Sequence, residues 1–203
     1  MRVTTTSYRI RRAEPRDADA LSEICLLTAD DGRDASALYS DPRLPGYLWA
    51  SAYGALEPDF AFILGDGEGA LGYVLAVPDT AAFEQRLERE WWPTVRQSLI
   101  GFKPRTTHDE MVLRRIDVPE RRDLERLADY PAHLHINILP EIQSGGWGRR
   151  MIDTELDALR QAGVKGVQLG VSPTNIRAKG FYEHLGFIDI SQPGDVTFGL
   201  KLQ

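Results

Sequence analysis

The stretch that most constrains the fold is residues 133–149, HLHINILPEIQSGGWGR. Its first six residues alternate polar with apolar side chains, a period of two that predicts a strand with two different faces. Pro140 has no N–H to donate to a strand ladder and should end the strand. Residues 143–148 then form a glycine-rich turn before a helical pattern of apolar residues. This order of strand, turn and helix predicts an α/β fold.

The glycine-rich turn is suited to hold an anion. Glycines let the backbone come close to a ligand, and the first turn of the next helix has N–H groups without helical partners. With the helix dipole, these donors favour a phosphate or pyrophosphate. The turn lacks the Gly-Lys-Ser/Thr ending of a nucleoside-triphosphate loop, and Met151 stands where a dinucleotide fingerprint has its third glycine. By itself the turn fits either a ligand site or a plain turn.

Length and charge exclude several classes of protein. The 203 residues are expected to form a single domain, 1–203, with a substantial core. A formal charge of −6 argues against a nucleic-acid partner, because phosphate contacts need a basic surface. The one cysteine excludes an internal disulfide and fits a reducing compartment. No apolar run reaches the length of a membrane span, so we expect a cytoplasmic protein without a membrane partner.

The front of the chain is predicted to supply a strand, helices and a hairpin. A helix begins near Pro15 and carries Cys25 on its apolar face, where a buried small residue is a better interpretation than a nucleophile. A second helix is expected at 44–53. The apolar runs 59–64 and 70–77 flank a glycine-rich loop, which indicates a hairpin.

Residues 79–130 are too long for a hairpin connection, and we interpret them as a helical insertion before the central strand. A helical stripe runs through 83–99, with a bend or restart expected at Pro93. Residues 101–109 are expected to form a loop, and 119–128 a short charged helix.

The back of the chain alternates strand and helix. The strand–helix–strand order of 132–139, 146–161 and 164–171 implies a parallel pair of strands. A further helix begins at Asn175, and 196–202 alternates as a last strand. The chain is therefore expected to form a mixed, twisted central sheet flanked by helices, with the glycine-rich turn near its centre.

Two spaced motifs resemble the GNAT superfamily of N-acetyltransferases. They are Q-x-x-G-x-G at 143–148 and N-x-x-A-x-x-x-Y-x-x-x-G-F at 175–187. The resemblance implies that 131–203 is an acetyl-CoA-binding half, in which the first motif grips the pyrophosphate and the second lines the pantetheine and thiol end. The cofactor-binding residues that it implies are Asn137, Ile138, Leu139, Gln143, Ser144, Gly145, Gly146, Trp147, Gly148, Arg149, Asn175, Ala178 and Tyr182.

The resemblance also implies a mechanism. Tyr182 is implied as the general acid that protonates the departing CoA thiolate, and Ala178 lies four residues before it on the same helix face. A buried tyrosine with a structural hydrogen bond is the alternative. A backbone N–H from 137–139 is implied as the donor to the acetyl carbonyl.

The general base is less well defined by the sequence. His135 is a candidate, because an unperturbed histidine titrates near neutral pH, but His133 and His135 also fit two structural histidines. Glu110 and the acids of 30–34 are weaker candidates, and these loop acids either meet a substrate amine or face solvent. Two histidines without a third ligand nearby do not predict a metal site.

Residues 129–203 are also similar to the acetyltransferase-like C-terminal domain of eukaryotic O-GlcNAc hydrolases and to its bacterial stand-alone relatives. These relatives tend to carry an aspartate where this chain has Asn137, which removes one carboxylate base. The eukaryotic domains lack the full glycine-rich turn and are suspected of not transferring acetyl groups, whereas this chain keeps the turn.

Two functions stay open at this point, besides the weaker possibility of a phosphate-ligand binder that is unrelated to coenzyme A. One is an acetyl-CoA-dependent N-acetyltransferase that acts on a primary amine of a small molecule or peptide. The other is a non-catalytic acetyl-CoA-binding or protein-interaction module. The resemblance also leaves a homodimer possible, because the family often dimerises.

Overall fold

A seven-stranded mixed sheet forms the centre of the structure, a computed structural model that describes residues 7–67, 69–143 and 145–202. Its strands are β1 (Arg9–Arg12), β2 (Ala61–Gly65), β3 (Ala70–Val77), β4 (Ala132–Ile138), β5 (Gly166–Gly170), β6 (Ile188–Asp189) and β7 (Thr197–Lys201). They lie in the order β1-β2-β3-β4-β5-β7-β6, and neighbours are antiparallel except for β4 and β5. This topology confirms the predicted mixed α/β sheet and its parallel pair.

Helices pack against both faces of the sheet. In the described part of the chain they are α1 (Ala18–Leu26), α2 (Leu44–Trp49), α3 (Ser51–Leu56), α4 (Thr80–Arg86), α5 (Trp92–Ser98), α6 (Thr107–Asp117), α7 (Leu124–Asp129), α8 (Trp147–Gln161) and α9 (Ile176–His184). Leu64 and Val74 share a core cluster with residues of α8 and α9, whereas Ile63 and Leu75 share one with residues of α1, α3 and α4. Alternation along the strands therefore decides which helices each side chain meets.

The front of the chain confirms most of the predicted elements. The hairpin is present as β2 and β3, and nearly all of its side chains are buried, as unbroken apolar runs require. Cys25 is 2% exposed and unpaired, and burial raises the pKa of its thiol to about 12, which fits a packed side chain. The predicted helix at 44–53 is interrupted at Ala50, whose backbone leaves the helical region, so it forms α2 and α3.

The insertion at 79–130 is helical, but two of its predicted boundaries are wrong. A π-helical turn at Leu87–Trp91 leads into α5, and Pro93 lies in the first turn of α5. The expected bend or restart therefore takes the form of a local change of helix type without a break. The end of the loop expected at 101–109 is the start of α6. The helix expected at 119–128 is α7, which begins later, after its cap Asp123.

Candidate active site

The parallel pair of strands opens into a cleft. β4 and β5 are paired only at Ala132–Val167 and His133–Gln168, and the rest of β4 continues beside β3 without β5. The gap belongs to a cavity of about 1300 Å³ that reaches from the glycine-rich turn to the insertion. A ligand can therefore enter between the two strands and meet groups from both faces of the sheet.

The backbone of β4 offers a donor to this cleft. The Leu139 N–H donates to the Leu71 carbonyl at 2.9 Å, so it is not free for a ligand. Because N–H groups alternate in direction along an antiparallel pair, the Ile138 N–H points away from β3 and toward the gap. Gln143 Nε2 donates to the Ile138 carbonyl at 2.7 Å, which joins the glycine-rich turn to the end of β4. Of the residues 137–139, Ile138 is thus the one whose N–H faces the cleft.

The start of α8 is open to an anion. Gly146 precedes the helix with φ +74°, a left-handed conformation that favours glycine, and no side chain of the described residues caps the helix. The N–H groups of the first helical turn, 147–149, therefore keep their donors available. A Cβ at Gly148 would lie 3.1 Å from Phe181 Cζ, so the backbone there is in close contact with α9. These features fit a pyrophosphate.

The side chains around the turn hold its shape. Trp147 packs edge-on against Tyr8 at 5.9 Å, and the Arg150 guanidinium lies over the Trp147 ring at 4.7 Å. A Cβ at Gly145 would lie 3.0 Å from the same indole. Arg149 is exposed at the edge of the cleft, where it can meet a phosphate. Ser144, which the sequence also predicts to bind the cofactor, lies outside the described residues.

Helix α9 forms the second wall of the cleft. The Asn175 side chain caps the helix by accepting from the Ala178 N–H at 3.0 Å, so its carbonyl oxygen is taken and its amide N–H₂ is left for a ligand. Ala178 lines the cleft, and its small side chain allows a chain-like ligand to approach. The helix therefore has the predicted cap and the predicted small residue.

Tyr182 lies between the core and the cleft. Its ring packs against Phe181 at 5.3 Å and Phe187 at 5.7 Å, and the residue is 9% exposed. Its hydroxyl has no hydrogen-bond partner among the described residues, although the residue lines the cleft. Burial raises the pKa of the phenol above its usual range, so the hydroxyl carries its proton at neutral pH. The structural hydrogen bond of the alternative interpretation is absent from this part of the chain.

His133 is a structural histidine. The Thr80 hydroxyl donates to the Pro131 carbonyl at 2.7 Å, so it accepts from the His133 Nδ1–H at 2.8 Å. Nε2 therefore has no proton and accepts from the Tyr53 hydroxyl at 2.7 Å. The side chain is 1% exposed, and burial lowers its pKa well below the ordinary value. His133 is neutral and holds Tyr53 against the sheet.

His135 lies on the same face but has different surroundings. It lines the cleft, its ring meets Tyr53 at 5.2 Å, and no described residue hydrogen-bonds its ring nitrogens. The expectation of an unperturbed pKa is wrong. Burial, and secondly the charge of Arg122, lower the pKa of His135 to about 4. The ring is neutral at pH 7 and can accept a hydrogen bond, but it holds a proton weakly.

The weaker base candidates do not lie together. Glu110 is exposed on α6 and does not line the cleft, so its position does not favour this weaker base candidate. Asp30 pairs with Arg33 at 2.9 Å, and Asp34 accepts from Ser36 in solvent. These two are loop acids rather than cleft groups.

Two polar contacts join α1 and its following loop to the cleft walls. The Asn137 amide donates to Thr28 Oγ1, so this asparagine fastens β4 to the end of α1. Asp31 accepts from the Thr174 hydroxyl at 2.8 Å, which ties the loop after α1 to the segment before α9. Asp31 is thus the loop acid that reaches the edge of the cleft.

Several cleft residues were not predicted from the sequence. Tyr53, Glu84, Arg122 and Gln168 all line the end of the cleft beneath the insertion. Tyr53 fits a helical core pattern, and the others come from distant parts of the chain. No short motif marks them.

The described residues show neither a cluster of metal ligands nor a helix that could span a membrane. They contain no group of three or more His, Cys, Asp or Glu side chains placed to hold a metal ion. Within the same ranges, no helix combines the length and the apolar character that crossing a membrane requires.

Comparison with known proteins agrees with the fold and the motifs. The profile described as the acetyltransferase (GNAT) family matches residues 115–187. The crystal structure of SsHAT is similar along 97% of this chain and 99% of its own, with 37% sequence identity and a TM-score of 0.85. The structure of yncA from Salmonella typhimurium, which contains its cofactor acetyl-CoA, is similar in fold, with 13% identity, a TM-score of 0.57 and coverage of 97% of this chain and 94% of its own.

A curated relative confirms the second resemblance. Protein O-GlcNAcase of Rattus norvegicus is 26% identical over 201 residues, which are 96% of this chain. The match covers 22% of the O-GlcNAcase, so this chain spans about a fifth of that relative's length. The similarity to SsHAT runs along nearly the whole of both chains and agrees with the family profile and with the two spaced motifs. The chain therefore belongs to the acetyltransferase (GNAT) family.

Proposed function

We propose that this protein is an acetyl-CoA-dependent N-acetyltransferase that acetylates a primary amine of a small molecule or peptide. The observation that carries the proposal is the Tyr182 hydroxyl, which keeps its proton and has no partner among the described residues beside the gap between β4 and β5. A tyrosine with only a packing role would gain nothing from a hydroxyl placed there.

The chain's own groups would hold the cofactor along the cleft. The N–H groups of 147–149 and the Arg149 side chain would bind the pyrophosphate. The Asn175 amide and the surface at Ala178 would bind the pantetheine. Bound acetyl-CoA supplies an activated acetyl thioester. Structures of the family contain acetyl-CoA or coenzyme A, which supports this assignment.

The transfer step needs three groups. The Ile138 N–H would donate to the acetyl carbonyl oxygen and hold the charge that develops there. Tyr182 would give its proton to the thiolate sulfur while the carbon–sulfur bond breaks and the new carbon–nitrogen bond forms. The proton lost by the amine would pass to water or transiently to His135, and a proton would return to Tyr182 through water.

The experiment is thiol release from acetyl-CoA with a panel of primary amines, with wild type compared with Tyr182→Phe. We expect kcat to fall by about 10²-fold or more, since a positioned acid contributes about that much, while acetyl-CoA affinity measured by calorimetry stays the same. Tyr39→Phe, at a buried tyrosine outside the cleft, is the matched control. An unchanged kcat in Tyr182→Phe would exclude the proposed acid.

A second candidate is an acetyl-CoA-binding module without transfer activity. It is favoured by the surroundings of the acceptor, because His135 has a pKa of about 4 and Asn137 is an amide that is bonded to Thr28. Acetyl-CoA binding without thiol release from any amine of the panel would support this module and contradict the enzyme.

The expected cytoplasmic location and the homodimer stay predictions. Fractionation of cells that express the protein tests the first. Light scattering across a range of concentrations tests the second.

A further inference from the structure

The end of the cleft beneath the insertion contains an arginine that is held loosely. Arg122 Nη1 lies 3.8 Å from Glu84 Oε1, which is beyond hydrogen-bond distance. The hydrogen bond between these two residues comes instead from the Arg122 backbone N–H, at 3.2 Å. The Arg122 side chain is 33% exposed and lines the cleft. Its planar fork of donors is therefore available to a ligand.

Two other arginines at this end have close partners. Arg126 donates to Asp195 at 2.5 Å and to Thr197 at 3.2 Å, and its side chain is 9% exposed. Arg115 lies 3.3 Å from Glu120. The 3.8 Å contact of Arg122 is therefore longer than the contacts of Arg126 and Arg115.

A buried oxygen lies in the same part of the cleft. Gln168 is 1% exposed, and its Nε2 donates to the Tyr130 carbonyl at 2.7 Å. Its Oε1 has no hydrogen-bond partner among the described residues. A buried carbonyl oxygen is normally satisfied, so this one calls for a donor from a ligand or from water.

Gln168 and Arg122 face the same side of the sheet. Gln168 is paired with His133 across the parallel strands, so the two side chains share a face. Arg122 is the charged group that acts on both His133 and His135. Gln168 also marks the last pairing before β4 and β5 separate, which is where an acceptor amine would meet a thioester. The end of the cleft thus combines a cationic fork with a neutral acceptor oxygen.

The other cleft groups nearby leave the charge of Arg122 in place. Tyr53 and His133 are neutral by their hydrogen bonds, and His135 is neutral at pH 7. Glu84 faces Arg122, but its carboxylate lies 3.8 Å from the guanidinium, and its hydrogen bond is to the Arg122 backbone. An anionic group on the acceptor would therefore find unused hydrogen-bond donors on the Arg122 guanidinium.

We propose that the acceptor is an amine that also carries a carboxylate, of the amino-acid class. Arg122 binds the carboxylate with its forked donors, and Gln168 Oε1 accepts an N–H of the acceptor beside the gap between β4 and β5. This inference rests on the proposed acetyltransferase function and names the class of its substrate.

The experiment compares matched acceptors. KM and kcat are measured for a series of amino acids, for their carboxamides and for the amines that lack the carboxyl group, with phosphoethanolamine as a phosphate-bearing amine. Wild type should prefer the free acids. In Arg122→Gln, KM for the acids should rise by about 10- to 100-fold, as for the loss of one charged hydrogen bond, while the KM of the carboxamides stays the same. The charge of Arg122 also acts on His135, so any change in kcat should be the same for the acids and for their carboxamides.

Two variants serve as controls. Arg114→Gln removes an exposed arginine of α6 that lies outside the cleft, and it should leave KM unchanged for every acceptor. Glu84→Gln removes the carboxylate that faces Arg122 and should lower KM for the acids. A purely structural Arg122–Glu84 pair would instead make Arg122→Gln and Glu84→Gln less stable and leave the preference among acceptors unchanged.

A binding measurement keeps this inference separate from the proposed function. Calorimetry with N-acetyl amino acids and their amides, on protein saturated with coenzyme A, should show that the acids bind more tightly and that Arg122→Gln removes the difference. If the acids bind more tightly but no acetyl transfer is found, the proposed function is rejected and the assignment of Arg122 as a carboxylate-binding residue is kept. Equal affinity for acids and amides, or a preference for phosphoethanolamine over the amino acids, would overturn the carboxylate assignment.

Discussion

Glu155 is a carboxyl group within the apolar core. It is 0% exposed on the face of α8 that packs against the sheet, and neither carboxyl oxygen has a hydrogen-bond partner among the described residues. Burial raises the pKa of this carboxyl well above its ordinary value, because the charged form is penalised in an apolar environment. The residue is thus protonated in the folded protein at pH values where the unfolded chain is ionised.

The apolar surroundings of Glu155 predict how the free energy of unfolding changes with pH. As pH rises from the ordinary glutamate pKa toward the raised value, the unfolded state releases its proton first, so the free energy of unfolding falls. Glu155→Gln should remove this fall, and Glu155→Met should be more stable by about 1–3 kcal/mol at pH 8. Urea unfolding at several pH values measures both. If the difference in the free energy of unfolding between the wild type and Glu155→Gln stayed constant from pH 5 to 8, the raised pKa of Glu155 would be contradicted.

At this scale the sequence predicts the residues whose chemistry is local. Gly146 and Asn175 were predicted correctly as a turn glycine and a helix cap, because turns and caps depend on residues a few positions apart. The pKa of His135 could not be predicted. It depends on burial and on Arg122, which belongs to the insertion, and no spacing in the sequence shows that contact.

Among the elements, α6 is organised by one buried carboxylate. Asp109 is 0% exposed and accepts from the Ser40 N–H and hydroxyl at 2.9 and 2.7 Å and from the Arg105 N–H at 2.9 Å. It also completes a capping box with Thr106. These hydrogen bonds lower the pKa of Asp109 to about 2, against the effect of burial. The side chain joins the insertion to the loop before α2.

We expect Asp109→Asn to destabilise the fold by about 2–4 kcal/mol. The amide replaces one acceptor oxygen with an N–H₂ donor, which would face the N–H and O–H donors that now bind the carboxylate. The stability that Asp109 contributes should be present above pH 4 and should be lost as pH falls toward 2, since its pKa is lowered in the folded state. Thermal unfolding measures the change. Asp79→Asn, at the exposed cap of α4, is the matched control and should cost about 1 kcal/mol or less. Equal losses in both variants would contradict the role of Asp109.

The meeting of α8 and α9 makes a prediction for the cofactor. Gly148→Val places a Cβ 3.1 Å from Phe181 Cζ, so the Phe181 ring must move away from the start of α8. We expect acetyl-CoA affinity measured by calorimetry to fall about tenfold or more. Gly180→Ala is the matched control, because a Cβ there meets nothing within 4 Å. It should keep the affinity and gain about 0.5–1 kcal/mol in stability, and an equal loss of affinity in both variants would contradict the model of the site.

The sequence predicts elements well where the apolar pattern is strong. β2 and β3 are unbroken apolar runs and α8 has a clear helical period, and all three lie where these patterns place them. The start of α6 was missed although Thr106 and Asp109 form a capping box three residues apart, which is a local signal. Only the hydrogen bonds from Ser40 to Asp109 come from a residue that is distant in sequence.

For the molecule as a whole, the arrangement of the strands creates the site. The separation of β4 and β5 opens the sheet at its centre, and the glycine-rich turn, α9 and the insertion meet around the gap. The family motifs lie within 131–203 and predicted the residues on the proposed cofactor side of this gap. The proposed acceptor side draws on Tyr53, Glu84, Arg122 and Gln168, whose long-range contacts only the folded chain shows.

The central claim is that the start of α8 binds the pyrophosphate of acetyl-CoA and directs the thioester between β4 and β5 toward Tyr182. A crystal structure of the complex with acetyl-CoA measures this directly. The account predicts phosphate oxygens on the N–H groups of 147–149 and the cofactor sulfur within hydrogen-bond reach of the Tyr182 hydroxyl. A cofactor bound elsewhere, or a thioester on the far side of β5 with Tyr182 out of reach, would contradict it.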